Sequence, residues 1–157
     1  MMQQRIYIFL AAGGSAALML AALGFQHLGD LAPCQMCIWQ RYPHVAAIGV
    51  GALAFWLGGA VLPVLGLFAA LTTAGIGGYH AGVEQGWWEG PGTCTAGAVG
   101  GMSTDDLMAQ IMSAPLVRCD EIPWAFLSVS MAGWNMIVSL GLAVVWIMAI
   151  RAGSIKR

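Results

Sequence analysis

Four separate stretches of this chain are each long and apolar enough to cross a lipid bilayer, and no other feature limits the fold as much. A spanning helix needs about 20 mostly apolar residues. Residues 6–25 carry no charge, and 131–150 are apolar throughout. Residues 38–57 are apolar after an opening that holds Arg41 and His44, and 62–82 are apolar with His80 near the end. Composition agrees: of 157 residues, 59% are apolar and 8% charged, against about 25% charged in a soluble domain. Six basic and seven acidic side chains cannot coat a water-facing globule. A soluble enzyme, a disordered segment and a nucleic-acid binder are therefore excluded, the last also because a net charge of −1 offers phosphates no basic surface. The expectation is a single membrane domain over 1–157: an all-α bundle of four transmembrane helices.

The first stretch is longer than the about 7–15 apolar residues of a signal peptide, so it reads as a retained helix. Leu31-Ala32-Pro33-Cys34 faintly resembles a lipoprotein cleavage box, but the proline directly before the cysteine argues against it.

Orientation follows from the basic residues. Arg5 precedes the first helix, and Arg151, Lys156 and Arg157 follow the last. An even helix count puts both ends on one side, so both termini are expected in the cytoplasm. A short outer loop (about 26–37) and a long one (83–130) then face the opposite, outer side. Gly58-Gly59-Ala60-Val61 is the inner connection, with Pro63 harmless in the first turn after it. In the long loop, Glu89-Gly90-Pro91-Gly92 reads as a turn. Ser103 followed by Asp106 resembles a helix start, and Leu107, Met108, Ile111 and Met112 fall at helical spacing. A short amphipathic helix on the outer membrane surface is expected there. Trp87, Trp88, Trp124 and Trp134 flank the outer interface as an aromatic belt would.

All four cysteines fall in these outer loops: Cys34 and Cys37 in the short one, Cys94 and Cys119 in the long one. The plainest use is two structural disulfides. Three features point elsewhere. Cys34-Gln35-Met36-Cys37 is a C-x-x-C, the short ring of a redox dithiol. It sits at a helix N-terminus, which favours a thiolate. Arg41 lies one turn beyond Cys37, and an Arg within the membrane boundary is costly and often functional. Cys94 and Cys119, 25 positions apart in a Gly/Ser/Ala-rich loop, would form an exposed, labile bridge open to a foreign thiolate.

Other uses fit less well. Structural zinc wants a compact ligand set, and a C-x-x-C followed at a distance by two separated cysteines is not one, so no metal is expected. A c-type haem needs C-x-x-C-H, and Ile38 follows Cys37. A b-type haem on two of His27, His44 and His80 is geometrically conceivable.

The segment Pro33-Cys34-Gln35-Met36-Cys37-Ile38-Trp39-Gln40-Arg41-Tyr42-Pro43-His44 closely resembles the motif of the DsbB family of disulfide bond formation proteins. The stretches 79–84 and 118–124 resemble the same family, and the likeness extends over nearly the whole chain. The resemblance implies a quinone-dependent oxidase that regenerates a DsbA-like periplasmic thiol oxidant. It implies redox-active disulfides Cys34–Cys37 and Cys94–Cys119. Cys94 would be attacked by the partner, and Cys119, released, would attack Cys34. Cys37, nearest the membrane, would pass electrons to ubiquinone or menaquinone, a low pKa keeping its thiolate available for that step, and Arg41 would help hold the quinone. His44, His80 and Glu84 receive no role, and His80 with Glu84 reads equally well as a structural pair. The rival expectation is a structural membrane subunit with permanent disulfides.

Overall fold

The computed structural model describes residues 2–92, 94, 103–113 and 117–154. The helices are α1 (Met2–His27), α2 (Gln35–Leu57), α3 (Val61–Glu84), a short α4 (Thr104–Ser113) and α5 (Met131–Ser154). A two-stranded hairpin, β1 (Ala125–Phe126) and β2 (Val129–Ser130), leads into α5. Among the described residues, α1, α3 and α5 are long and apolar enough to cross a membrane. α2 has 23 residues and is interrupted by Gln40, Arg41, Pro43 and His44. Pro43 cannot donate to the carbonyl one turn back, yet the helix continues through it.

Small residues set the packing, as in helices that associate in lipid. α3 packs closely on α5 and α2, and α1 on α2 and α5. A Cβ at Gly77 would lie 3.0 Å from the Ala132 carbonyl, and one at Gly66 would lie 2.6 Å from the Trp146 ring. Trp146 is fully buried and centres a core with Ile8, Ala11, Ala54, Ala70, Ala143 and Ala149. These residues come from the end of the bundle that carries the two termini. The faces turned outward are apolar instead of polar, with Phe9, Leu20, Trp56 and Phe68 exposed, as a lipid environment requires.

The connections account for the geometry. Gly58 and Gly59, at φ 68° and 81°, turn α2 into α3 in the left-handed region that favours glycine. α4 forms near the expected place, with Met108 and Met112 exposed. The hairpin was not expected. Leu127 and Ser128 hold φ of 51° and 62°, the pair of positive values a two-residue I′ turn demands. The residues there are not the usual Asn-Gly, which is why the turn left no signature.

Candidate functional site

At the end of the bundle opposite the Trp146 core, the cysteines form a second buried cluster. Cys34, Met36, Val83, Cys94 and Cys119 pack together, with Cys37 and Val117 against them. Cys94 and Cys119 are joined by a disulfide with Cα atoms 5.4 Å apart. The expectation of an exposed bridge is overturned: both sulfur-bearing residues are buried, at 1% and 0% exposure. The reason is apolar packing, since the bridge seats itself against Met36 near the start of α2 and Val83 near the end of α3. The Cys119 N–H also donates to the Cys94 carbonyl at 2.7 Å.

Cys34 and Cys37 are unbonded, with their Sγ atoms 2.7 Å apart. Cys34 is the N-cap of α2, and its Sγ accepts from the Cys37 N–H at 3.3 Å. A second donor arrives from α3, where His80 Nε2 lies 3.6 Å away. The same nitrogen lies 3.2 Å from the Cys119 carbonyl oxygen. His80 Nδ1 is 3.0 Å from the Gln40 side-chain amide, and Glu84 Oε1 is 3.8 Å from Nε2. The Ser130 hydroxyl, in turn, donates to Glu84.

The donors thus converge on Cys34, not on Cys37 as the resemblance implied. The Cys37 thiol, donating to Cys34 Sγ, lowers the Cys34 pKa most, and His80 adds to this against the opposing cost of burial. The result is a thiol brought down to about 4, a value reached by thiols at helix N-termini beside a cation.

Below the cysteines lies a cavity of about 620 Å³. Cys34, Cys37, Arg41, His44, His80 and Glu84 all line it, among apolar residues of α1 and α5 such as Leu18, Met19, Phe25 and Met131. Arg41 Nη1 donates to Gln26 Oε1 on α1 at 2.7 Å. The guanidinium is therefore held beside the cavity. His44 Nε2 lies 2.9 Å from Asn135 Oδ1, and Asn135 Nδ2 donates to Thr73 Oγ1. Trp124 and Phe126 line the cavity, with Trp124 against Phe25 at 5.0 Å between ring centroids. Two of the expected belt tryptophans, Trp124 and Trp134, therefore also line this site.

Sequence reasoning named Cys34, Cys37, Cys94, Cys119 and Arg41, and the structure brings the first four into one cluster with Arg41 beside the adjoining cavity. It left out His80, Gln40 and Glu84. His80 and Glu84 were one turn apart on α3, which was visible, but their facing the cysteines depends on how α3 docks on α2.

A helical membrane protein whose cysteine dithiol and disulfide share one buried site, above an apolar cavity, is a membrane thiol–disulfide oxidoreductase in its architecture. The family of disulfide bond formation protein DsbB matches residues 4–149, and the chain belongs to that family. Relatives called disulfide bond formation protein B bear this out. The protein of Methylococcus capsulatus is 35% identical over 81% of this chain and 82% of its own length. That of Shewanella frigidimarina is 34% identical over 82% and 79%, and that of Albidiferax ferrireducens 31% over 91% and 87%.

Proposed function

We propose that this protein takes electrons from a DsbA-like thiol oxidant of the periplasm and passes them, through its two cysteine pairs, to a membrane quinone. In this reading α2 is a fourth spanning helix, the whole of 1–157 is one domain of the inner membrane, and both termini lie in the cytoplasm. The observation that carries the reading is the shared contact of Cys34 and Cys119 with His80 Nε2, directly beside the cavity.

The partner's thiolate attacks Cys94, forming a mixed disulfide and releasing Cys119 as a thiolate. A second partner thiol resolves the mixed bond, so the partner leaves oxidised and Cys94 and Cys119 hold two electrons. Cys119 attacks Cys34 of the Cys34–Cys37 bridge, and Cys37 leaves as a thiolate. Cys94 then attacks the Cys34–Cys119 bond, restoring Cys94–Cys119 and leaving Cys34 and Cys37 reduced. His80 serves as a positioning residue: Nε2–H donates to Cys34 Sγ and to the Cys119 carbonyl, holding the two pairs together and stabilising sulfur anion.

The cavity suits a quinone headgroup, being apolar with a few converging polar groups, as small-molecule sites are. Cys37, Arg41, His44 and Asn135 line it where a carbonyl-bearing ring would need donors. A bound quinone supplies a two-electron, two-proton acceptor for the Cys34–Cys37 dithiol. Arg41, fixed by Gln26, provides the permanent positive charge that favours developing negative charge at that depth. The rival structural subunit with permanent bridges is not favoured by a family devoted to disulfide formation. The test is anaerobic turnover with a reduced DsbA-type protein and a soluble quinone. Quinone loss dependent on both cysteine pairs is expected, and its absence would overturn the reading.

A further inference from the structure

The Cys34, Cys37 and His80 ligand atoms all lie within 4.8 Å of one another, a spacing that serves a second purpose besides thiol exchange. We propose that the reduced Cys34–Cys37 pair together with His80 binds a borderline-soft divalent cation of the zinc class, and that the bound cation arrests the redox cycle. This rests on the proposed function only in requiring that the pair be reducible.

The ligand set is of the right kind. Two thiolates and an imidazole are the donors zinc prefers, with Zn–S near 2.3 Å and Zn–N near 2.0 Å. Tetrahedral angles at those lengths place sulfur about 3.6 Å from nitrogen and the two sulfurs about 3.8 Å apart. Cys34 Sγ already stands 3.6 Å from His80 Nε2. The sulfurs, at 2.7 Å, need to part by about 1 Å to meet the about 3.8 Å of a tetrahedral site, a side-chain movement of Cys37 toward the cavity it lines. Two thiolates also neutralise the cation, so the buried site takes on no net charge.

The outer shell is built as well. A ligating histidine usually gives its other ring N–H to a fixed acceptor. With the ring proton on Nδ1, the buried Gln40 amide, whose nitrogen is 3.0 Å away, accepts it through its oxygen after a half-turn about its Cγ–Cδ bond. Nε2 is then free to ligate. Glu84 stands outside this three-residue set, so a water would fill the fourth position. Access is through the cavity on which Cys37 opens.

The chemistry balances without electron transfer. The dithiol and the cation combine to a bis-thiolate complex, and the protons still held by the two sulfurs are released. The cation occupies the sulfur electron pairs, so it must leave before the Cys34–Cys37 bond can form again. The reduced state accumulates when the electron acceptor runs short, and the cation would then hold the protein in it. At fixed metal, inhibition should weaken as acceptor rises.

The test is a titration of the lipid-embedded protein with Cd²⁺, following thiolate-to-metal charge-transfer absorbance and proton release, with Zn²⁺ as competitor. No partner and no quinone are present, so failure here leaves the electron path standing. The Cys94→Ala/Cys119→Ala variant, chemically reduced, should take up one Cd²⁺ per chain and release protons, and the same variant with Cys34–Cys37 oxidised should take up none. Gln40→Leu, which keeps all three ligands, should weaken binding about 10–100-fold, and His80→Phe should weaken it further. Equal uptake by reduced and oxidised protein would overturn the proposal. So would affinity unchanged in both His80→Phe and Gln40→Leu. The oxidised–reduced comparison remains decisive if either of those variants fails to fold.

Discussion

Cys34 and Cys119 meet at one atom, His80 Nε2, which stands 3.6 Å from the Cys34 sulfur and 3.2 Å from the Cys119 carbonyl. In the proposed mechanism, exchange between the two pairs would then centre on α3, an element that contributes no cysteine. His80→Ala should therefore slow exchange between the pairs by about 100-fold, the lower end of what a positioned proton-bearing side chain contributes. Attack of the partner on Cys94 should be unaffected. Rapid acid quench and mass analysis of the alkylated cysteines separates the two steps, and equal slowing of both would place His80 outside the transfer.

The concentration of donors on Cys34 makes a pH prediction. A group whose pKa is lowered stays in its charged form as pH falls until that pKa is reached. An ordinary thiol, near 8.5, loses thiolate about tenfold per pH unit below that value. Cys34, brought down to about 4 first by the Cys37 thiol and then by His80, should keep a flat alkylation rate from pH 8 to pH 5. In Cys37→Ala the largest contributor is gone, and the rate should fall over that range. Peptide mass analysis of iodoacetamide-treated reduced protein measures both profiles.

Arg41 is clamped to Gln26 beside the cavity. Arg41→Ala should raise the apparent quinone KM while leaving the yield of a trapped Cys94 mixed disulfide unchanged. Gln26→Ala should give a smaller rise in the same direction, because the guanidinium keeps its charge and loses only its fixed position. A KM unchanged in both variants would separate Arg41 from the acceptor site.

Gly66 supports the core at the other end. Any Cβ there would sit 2.6 Å from the Trp146 ring, which is fully buried among small residues. Gly66→Val should cost about 1–3 kcal/mol through overpacking, seen as a lower thermal midpoint in detergent. Gly13→Ala, where nothing stands within 4 Å, should not lower the midpoint, since alanine is the better helix former.

The helices were legible because apolar length is a local property, and the observed α1, α3 and α5 contain the expected stretches with a turn or less added at their ends. The C-x-x-C at a helix start was equally local, and its N-cap geometry followed. What could not be read was which faces meet. Burial of the Cys94–Cys119 bridge depends on its seating against Met36 and Val83, a tertiary contact with no sequence spacing to announce it. His80 and Gln40 come together from α3 and α2, so neither alone marked the site. The resemblance puts the lowered thiol on Cys37, where it would serve the quinone step. The N-cap position instead turns Cys34 over the first-turn amide.

The central claim is an electron path from a periplasmic dithiol through Cys94–Cys119 and Cys34–Cys37 to quinone. The most direct test mixes the lipid-embedded protein anaerobically with a reduced DsbA-type protein and a soluble quinone, following quinone absorbance. The account predicts one quinone lost per partner disulfide formed in the intact protein. It predicts none in Cys37→Ser, although that variant still forms the mixed disulfide at Cys94. Quinone reduction at the intact rate in Cys37→Ser would contradict it, as would bridges in the intact protein that stay closed to the reduced partner.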